Sequence, residues 1–234
     1  MTAYKKFYRN TFFFLGILFI FFQGSLSAVS LVHVLEFLPE NPIILEAGSY
    51  DGHDTACLSS VFPKGTIHAF EPLPEYYDML VKRLKNCKNV KLYPYALNTF
   101  TGTTTFFYNF NNPGSSSLLP STIEFQDSYT DNPITVQCIT LEDWFLTNNI
   151  NHIDLLWLDM EGAEHMALSS YEQLFDTVSC IIIEINYLEL RKGMSMNFQM
   201  EELFNKHGFV RTHVEGGENQ NDQVWIKGSL LNKS

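Results

Sequence analysis

Basic side chains are scarce in this chain. Fifteen Lys and Arg stand against 26 Asp and Glu in 234 residues, a formal charge of −11. Charge-driven nucleic-acid binding needs a basic footprint, so it is excluded as a broad function class. Cysteine is sparse too. Cys57, Cys87, Cys138 and Cys180 lie far apart, and a chain of this length can build a core without disulfide staples. Cys138 and Cys180 fall in apolar runs, where a free thiol behaves as a small hydrophobe; a bridge stays open only if the chain is exported. Gly and Pro total 22, too few for a low-complexity or collagenous chain. There is no internal repeat. No H-x-x-x-H or C-x-x-C spacing occurs and the strand-end acids are scattered, so no metal is expected. No G-x-G-x-x-G occurs either, so the pyrophosphate-cradling fingerprint is missing. What is present, 45% apolar and 18% charged residues, describes one folded domain, with room for a short leader.

The leader is legible at the N-terminus. Residues 1–10 (MTAYKKFYRN) carry Lys5, Lys6 and Arg9 and no acid; residues 11–22 (TFFFLGILFIFF) are apolar; QGSLSA then ends at Ala28. Basic flank, short apolar run and small-residue exit make the pattern of a secretory signal peptide. The 12-residue run rises ~18 Å as a helix, against a hydrocarbon core of ~30 Å. That favours a cleavable signal. Extending the run to Ala28 keeps an uncleaved signal anchor open. The expected division is therefore a signal peptide or anchor over 1–28 and one domain over 29–234. The domain is expected in an exported or secretory compartment, touching membrane only through the N-terminal segment if that is retained. Without the leader the balance is 12 bases to 26 acids, which suits solubility and disfavours anionic partners.

Beyond Pro39, short apolar runs alternate with helical patterns. Strands are expected at 42–48, 66–71, 90–97, 134–140, 153–160, 178–185, 209–214 and 222–228, with helices at 53–62, 74–86, 141–149, 164–175 and 198–208. The Thr- and aromatic-rich segment 101–110 reads as extended and paired with another strand, and 111–122 as a loop. Strand–helix alternation with strands apolar on both faces implies a mostly parallel, doubly wound α/β sheet, and the last two strands an antiparallel edge. In such sheets the ligand sits beyond the carboxyl ends of the strands.

The first strand ends in Glu46-Ala47-Gly48-Ser49-Tyr50-Asp51-Gly52, followed by His53-Asp54-Thr55. Two glycines let a ligand approach the backbone. The acids Glu46 and Asp51 would repel phosphate but suit a cationic amino group. Twenty-five residues after Glu46, Glu71 closes the second strand, the place where an acid accepts hydrogen bonds from both ribose hydroxyls. Amino acid plus ribose without phosphate describes S-adenosylmethionine.

The segments ILEAGSYDGHDT, HAFEPLPEYYDML, NVKLYPYALNTFTGTTTFF, SSSL, VQCITLEDWF, IDLLWLDMEGAEHMAL and IIIEIN together resemble the FkbM-type family of S-adenosylmethionine-dependent methyltransferases, over roughly residues 42–228. The resemblance implies a class I, Rossmann-like methyltransferase fold with an inserted β-hairpin. It implies methylation of hydroxyls or related polar groups on small molecules or glycans. Glu46, Gly48, Ser49, Tyr50, Asp51, Gly52 and Thr55 would line the methionine part of the cofactor and Glu71 would hold the ribose. Pro72 and Ala96 would flank the adenine, and Asp159, Glu161 and Gly162 would face the methyl group and the acceptor. Trp157 departs from the family, which often has Lys there. Acceptor class is therefore not carried over with the cofactor.

Methyl transfer from a sulfonium needs alignment and, for a hydroxyl acceptor, a base. Asp159 and Glu161 are the candidate acids, with Glu161 alternatively capping the helix that follows. His165, in the first turn after the acids, is a further candidate base; His53 reads as solvent-facing. Glu184 and Asn186, at the end of the next strand, are candidates for the acceptor side. Phe106, Phe107, Tyr108, Phe110 and Tyr129 either line a pocket or pack the extra hairpin, packing being favoured. The alternative function is a catalytically inactive methyltransferase fold serving as a binding or adaptor domain outside the cytosol.

Overall fold

The computed structural model describes residues 27–232. The expected leader lies outside the described residues except for its last two positions, which open helix α1 (Ser27–Val32). No helix among the described residues is long and apolar enough to cross a membrane.

The chain then alternates as its pattern demands: β1 (Ile43–Ala47), α2 (His53–Val61), β2 (Thr66–Phe70), α3 (Pro74–Arg83) and β3 (Val90–Tyr93). An inserted section follows, with β4 (Ala96–Leu97), β5 (Gly102–Asn109) and β6 (Asp131–Ile139). The alternation resumes with α4 (Leu141–Asn148), β7 (Leu155–Leu158), α5 (Glu164–Ser169), β8 (Cys180–Asn186), α6 (Asn197–Lys206), β9 (Phe209–Gly216), β10 (Gln220–Lys227) and α7 (Gly228–Leu231). Seven strands form the main sheet in the order β3-β2-β1-β7-β8-β10-β9. Pairing is parallel from β3 to β8, and β10 runs antiparallel to both β8 and β9. The expected antiparallel edge is this β10–β9 pair.

Alternate residues of each strand face opposite sides, and both sides are covered. One layer packs Leu45, Phe70, Leu156, Ile181, Ile183 and Trp225 against Trp144 and Phe145 of α4 and Leu203 and Phe204 of α6. The other packs Ile44, Ile67, Leu155, Ile182 and Val224 against Leu31 and Val34 near the N-terminus and Leu58 and Val61 of α2. Cys57, Cys87, Cys138 and Cys180 are all free thiols.

Three local expectations are corrected. The strand expected over 90–97 is two strands in two sheets, because Pro94 has no N–H to give a ladder. β3 ends in the main sheet, while β4 pairs parallel with β6. The extra hairpin is therefore a separate three-stranded sheet, β4-β6-β5, in which β5 and β6 run antiparallel. The helix expected over 164–175 stops at Ser169, and a 3₁₀ turn takes over from Glu172 to Asp176. Ser170 Oγ donates to the Ala167 carbonyl at 2.7 Å, the back-bonding that lets serine compete with a continuing helix. The helical pattern of 74–86 puts Leu80, Val81 and Leu84 on one face; Leu80 of α3 and Leu84 just past its end are buried, but Val81 is exposed.

Candidate active site

Parallel β1, β2 and β7 deliver their carboxyl ends to one rim. Gly48 follows β1 with φ +90°, and a Cβ there would lie 1.8 Å from the Asp159 carbonyl oxygen. Only glycine lets the β1 loop run this close to the end of β7. The Gly48 and Ser49 N–H groups donate to the Phe70 carbonyl, so the loop also leans on β2. Tyr50 takes the left-handed conformation, φ +43°.

Glu71 joins the two segments. Its Oε2 accepts from the Tyr50 N–H and its Oε1 from the Leu73 N–H, each at 2.8 Å. Burial pushes the carboxyl up to about 7, against the pull of those two N–H groups. Each oxygen keeps a second lone pair for another donor. The glycine loop and the strand-end acid thus share one edge of one cleft, as their sequence positions imply.

That cleft holds about 700 Å³ of atom-free space including its open mouth. Of the expected cofactor residues, Gly48, Tyr50, Glu71, Pro72, Ala96 and Asp159 line it. Glu46, Ser49, Asp51, Gly52 and Thr55 do not. Glu46 is buried behind the loop, and burial pushes its carboxyl up to about 8, with the facing Thr55 and Ser49 hydroxyls offsetting part of the effect. Glu46 Oε2, Ser49 Oγ and Thr55 Oγ1 make no hydrogen bond of ordinary geometry among the described residues. Asp51 turns outward to Arg83, 2.7 Å away. Gly52 packs under α3, where a Cβ would meet Leu80 at 2.3 Å.

The cleft has a third wall, for which the sequence offered only Phe106, as one of two alternatives. Phe106 of β5 and Pro113, Gly114, Ser116 and Leu118 of the β5–β6 loop face the cofactor edge. The SSSL motif builds this wall from inside. Asn109 Nδ2 donates to Ser115 Oγ and the Asn109 N–H to Ser116 Oγ, while Ser117 Oγ donates to the Glu161 carbonyl. The signal was visible as a motif; its place was not. Of the aromatic group, Phe106 lines the cleft, Tyr108 is buried in the small sheet, Phe110 is exposed, and Tyr129 lies under the Arg191 guanidinium at 4.6 Å.

β7 ends in the turn Asp159-Met160-Glu161-Gly162. Glu161 has φ +52° and Gly162 φ +94°. Glu161 does not cap α5, whose N-cap is Ala163 without a side-chain cap; the turn is held instead by Glu164, whose Oε1 accepts from the Met160 N–H at 2.8 Å. Glu161 is thereby free to face Asp159. Carboxylate oxygens of Asp159, Glu161 and Glu184 all lie within 4.8 Å of one another. The scatter of these acids along the chain is an artefact of connectivity, because β7 and β8 are adjacent strands. Asp159 is ringed by protein atoms yet reached by solvent through the cleft. Its carboxyl is held well above the ordinary range, by desolvation first and then by Glu184, Glu161, Glu164 and Asp222. Glu161 is raised by burial and Glu184, with Arg191 pulling it back.

His165 is not brought into this group. Its backbone N–H is tied to Ser195 Oγ at 2.8 Å, and it is not among the residues lining either cleft. The reason is helical phase: α5 turns its buried side, with Glu164 and Ala167, inward, and His165 falls beside it. His53 is exposed, as expected. A second, acidic groove adjoins the first at Asp159 and runs along Trp157, Glu184, Asp222, Glu215 and Glu218.

A family model, the methyltransferase FkbM domain, matches residues 46–211, from the buried acid of β1 to β9. The chain belongs to the FkbM methyltransferase family. Two curated relatives align with it. The 2-O-methyltransferase NoeI of Sinorhizobium fredii is 26% identical over 163 residues, 65% of this chain and 67% of that protein. Methyltransferase sdnD of Sordaria araneosa is 28% identical over 174 residues, 63% of this chain and 67% of that one. Among solved structures, the precorrin-6y C5,15-methyltransferase of Geobacter metallireducens superposes with a TM-score of 0.51 at 12% identity, covering 85% of each chain. Methanococcus jannaschii fibrillarin does so at 0.52 and 13%, covering 87% of this chain and 75% of its own. At such identities the likeness establishes the fold, that of class I methyltransferases.

The FkbM cleft fits the cofactor that the sequence resemblance implied. Glu71 has spare lone pairs on its rim, and Leu73, Tyr95, Leu97 and Phe106 offer apolar surface for a base.

Proposed function

We propose that this chain transfers the methyl group of S-adenosylmethionine to a hydroxyl of a small molecule or glycan. The observation that carries the reading is Glu71, anchored by the Tyr50 and Leu73 N–H groups at the edge of a cleft that reaches Asp159. The bound cofactor supplies an electrophilic methyl group on sulfur.

The chain's own residues supply alignment and proton handling. Glu71 accepts from the ribose diol. The backbone around Gly48 lies under the amino-acid tail, with the buried Glu46 carboxyl behind it. The wall from Pro113 to Leu118 confines the nucleoside and limits water. Asp159 stands where the cleft meets the acidic groove, so with the cofactor bound an acceptor hydroxyl entering there would pass its proton to Asp159 or Glu161 as its oxygen–methyl bond formed and the carbon–sulfur bond broke, releasing S-adenosylhomocysteine. Burial and like-charged neighbours raise the proton affinity of both acids, which strengthens either as a base in its ionised form. NoeI is a 2-O-methyltransferase, which supports oxygen as the attacking atom.

The test is calorimetric titration of the chain with S-adenosylhomocysteine, followed by transfer of labelled methyl to a panel of glycans and hydroxylated small molecules. Saturable binding and label on oxygen are expected. No binding at millimolar ligand would overturn the cofactor reading and favour an adaptor; label only on nitrogen or carbon would overturn the hydroxyl.

A further inference from the structure

We propose that Asp159, Glu161 and Glu184 bind one hard divalent cation, magnesium or manganese, at the junction of the cofactor cleft and the acidic groove. The site rests on the methyl-transfer reading and revises its proton step: a cation there would present open positions to acceptor oxygens beside the cofactor and lower the pKa of a bound hydroxyl, whose proton would then leave to water rather than to the ligating carboxylates.

The geometry suits the ion. Octahedral magnesium keeps oxygen ligands at ~2.1 Å, so opposite ligands lie ~4.2 Å apart and neighbouring ones ~3 Å. Three carboxylate oxygens within 4.8 Å of one another reach those positions by side-chain adjustment alone. An all-oxygen, three-carboxylate set selects magnesium, manganese or calcium over softer metals. Arg191 is the cation facing Glu161, but it cannot serve as counter-ion for all three acids. Two of its three nitrogens are committed, Nη1 to the Leu119 carbonyl and Asp131 and Nη2 to the Ser115 carbonyl, which leaves only Nε. Asp222 and Glu164 add further negative charge around Asp159.

A second observation points independently to a ligand. Asn186 is 3% exposed and lies two residues past Glu184, on the same face of β8. Its side chain faces the Glu184 carboxylate, yet its Oδ1 has no hydrogen-bond partner among the described residues. Glu184 Oε1 is likewise enclosed and unpartnered. Buried acceptors are rarely left unmet. A hard cation, directly or through its bound water, satisfies both.

The experiment titrates the full chain with manganese chloride and counts bound ion by loss of the free-ion electron paramagnetic resonance signal. One manganese per chain, displaced by magnesium, is expected. Glu184→Gln should weaken it by at least about 10- to 100-fold and Asn186→Ala by about tenfold, while Glu218→Gln, at the far end of the groove, leaves it unchanged. If Glu184→Gln does not fold by circular dichroism, Asp159→Asn, at the solvent-reached position, reads the same contact. No saturable manganese binding would overturn the site. So would equal losses in the Glu184 and Glu218 variants, which would mean diffuse attraction to the groove, or occupation by a protonated amine such as spermidine with no manganese bound. S-adenosylhomocysteine titrated with and without chelator separates the two claims. Cofactor binding that survives chelation keeps the methyltransferase reading intact if the ion site fails.

Discussion

Glu71 shows how much one side chain can decide. Its two oxygens hold the β1 loop and the start of α3 in place, so it positions the cleft as well as offering itself to a ribose. Glu71→Ala should weaken S-adenosylhomocysteine binding by roughly 1–3 kcal/mol, since hydroxyls lose their acceptor and two N–H groups lose theirs. Unchanged affinity by calorimetry would remove Glu71 from the cofactor site. Glu46 makes a different prediction. Its carboxyl rises from 4.5 to about 8 on folding, so the folded chain holds a proton that the unfolded chain releases. Between those values the native state binds more protons, and stability therefore falls as pH rises through the window and levels off above it. Glu71, raised to about 7, acts in the same direction. Glu46→Gln should be more stable than the parent at about pH 9, by up to about 5 kcal/mol, with the gap closing toward about pH 4. Urea unfolding at the two pH values measures this; a gap independent of pH would refute the buried-acid account.

Among the elements, the β5–β6 loop differs most from what a strand-and-helix reading suggests. By composition it is a polar connection. In the structure it is a wall of the cleft, sewn to the β8–α6 loop by the Thr122 N–H to Leu190 O and Lys192 N–H to Pro120 O bonds and pinned by Arg191, which is 1% exposed. Arg191→Met leaves the Ser115 and Leu119 carbonyls and the Asp131 carboxylate without their donor. Removing one partner of a buried charge pair costs about 3–5 kcal/mol, and this cost should appear locally. Amide exchange over residues 113–131 should speed up while that of β1 and β7 holds. Uniform acceleration across the chain, or none, would show that Arg191 does not pin the wall. Nothing in the local sequence marks Arg191 for this role, because all its loop partners lie 60 or more residues away.

Across the whole molecule, the N-terminal helix closes the layer opposite α4 and α6. Leu31 and Val34 are 1% and 0% exposed and pack with Leu58, Val224 and Ile226. Leu31→Ala should lower the unfolding free energy by about 2–5 kcal/mol, the usual cost of emptying a fully buried leucine site. A change under about 0.5 kcal/mol would mean that α1 is not part of the folded core.

Some of this protein was written in local residue order. Short continuous apolar runs ending in Gly48 and Glu71, glycines where backbones must nearly touch, and Pro39, Pro63 and Pro72 as stops determine the strand–helix alternation and the cofactor edge. Each is a preference that a residue and its near neighbours carry by themselves. Tertiary structure alone decided the rest. Pro94 moved half of an expected strand into a second sheet, and helical phase turned His165 aside. Strand adjacency brought Asp159, Glu161 and Glu184, up to 25 residues apart in the chain, to within 4.8 Å. The physical reason is that charge and hydrogen bonding act through space. Like-charged groups separated by a helix in sequence interact strongly only once the sheet lays β7 beside β8.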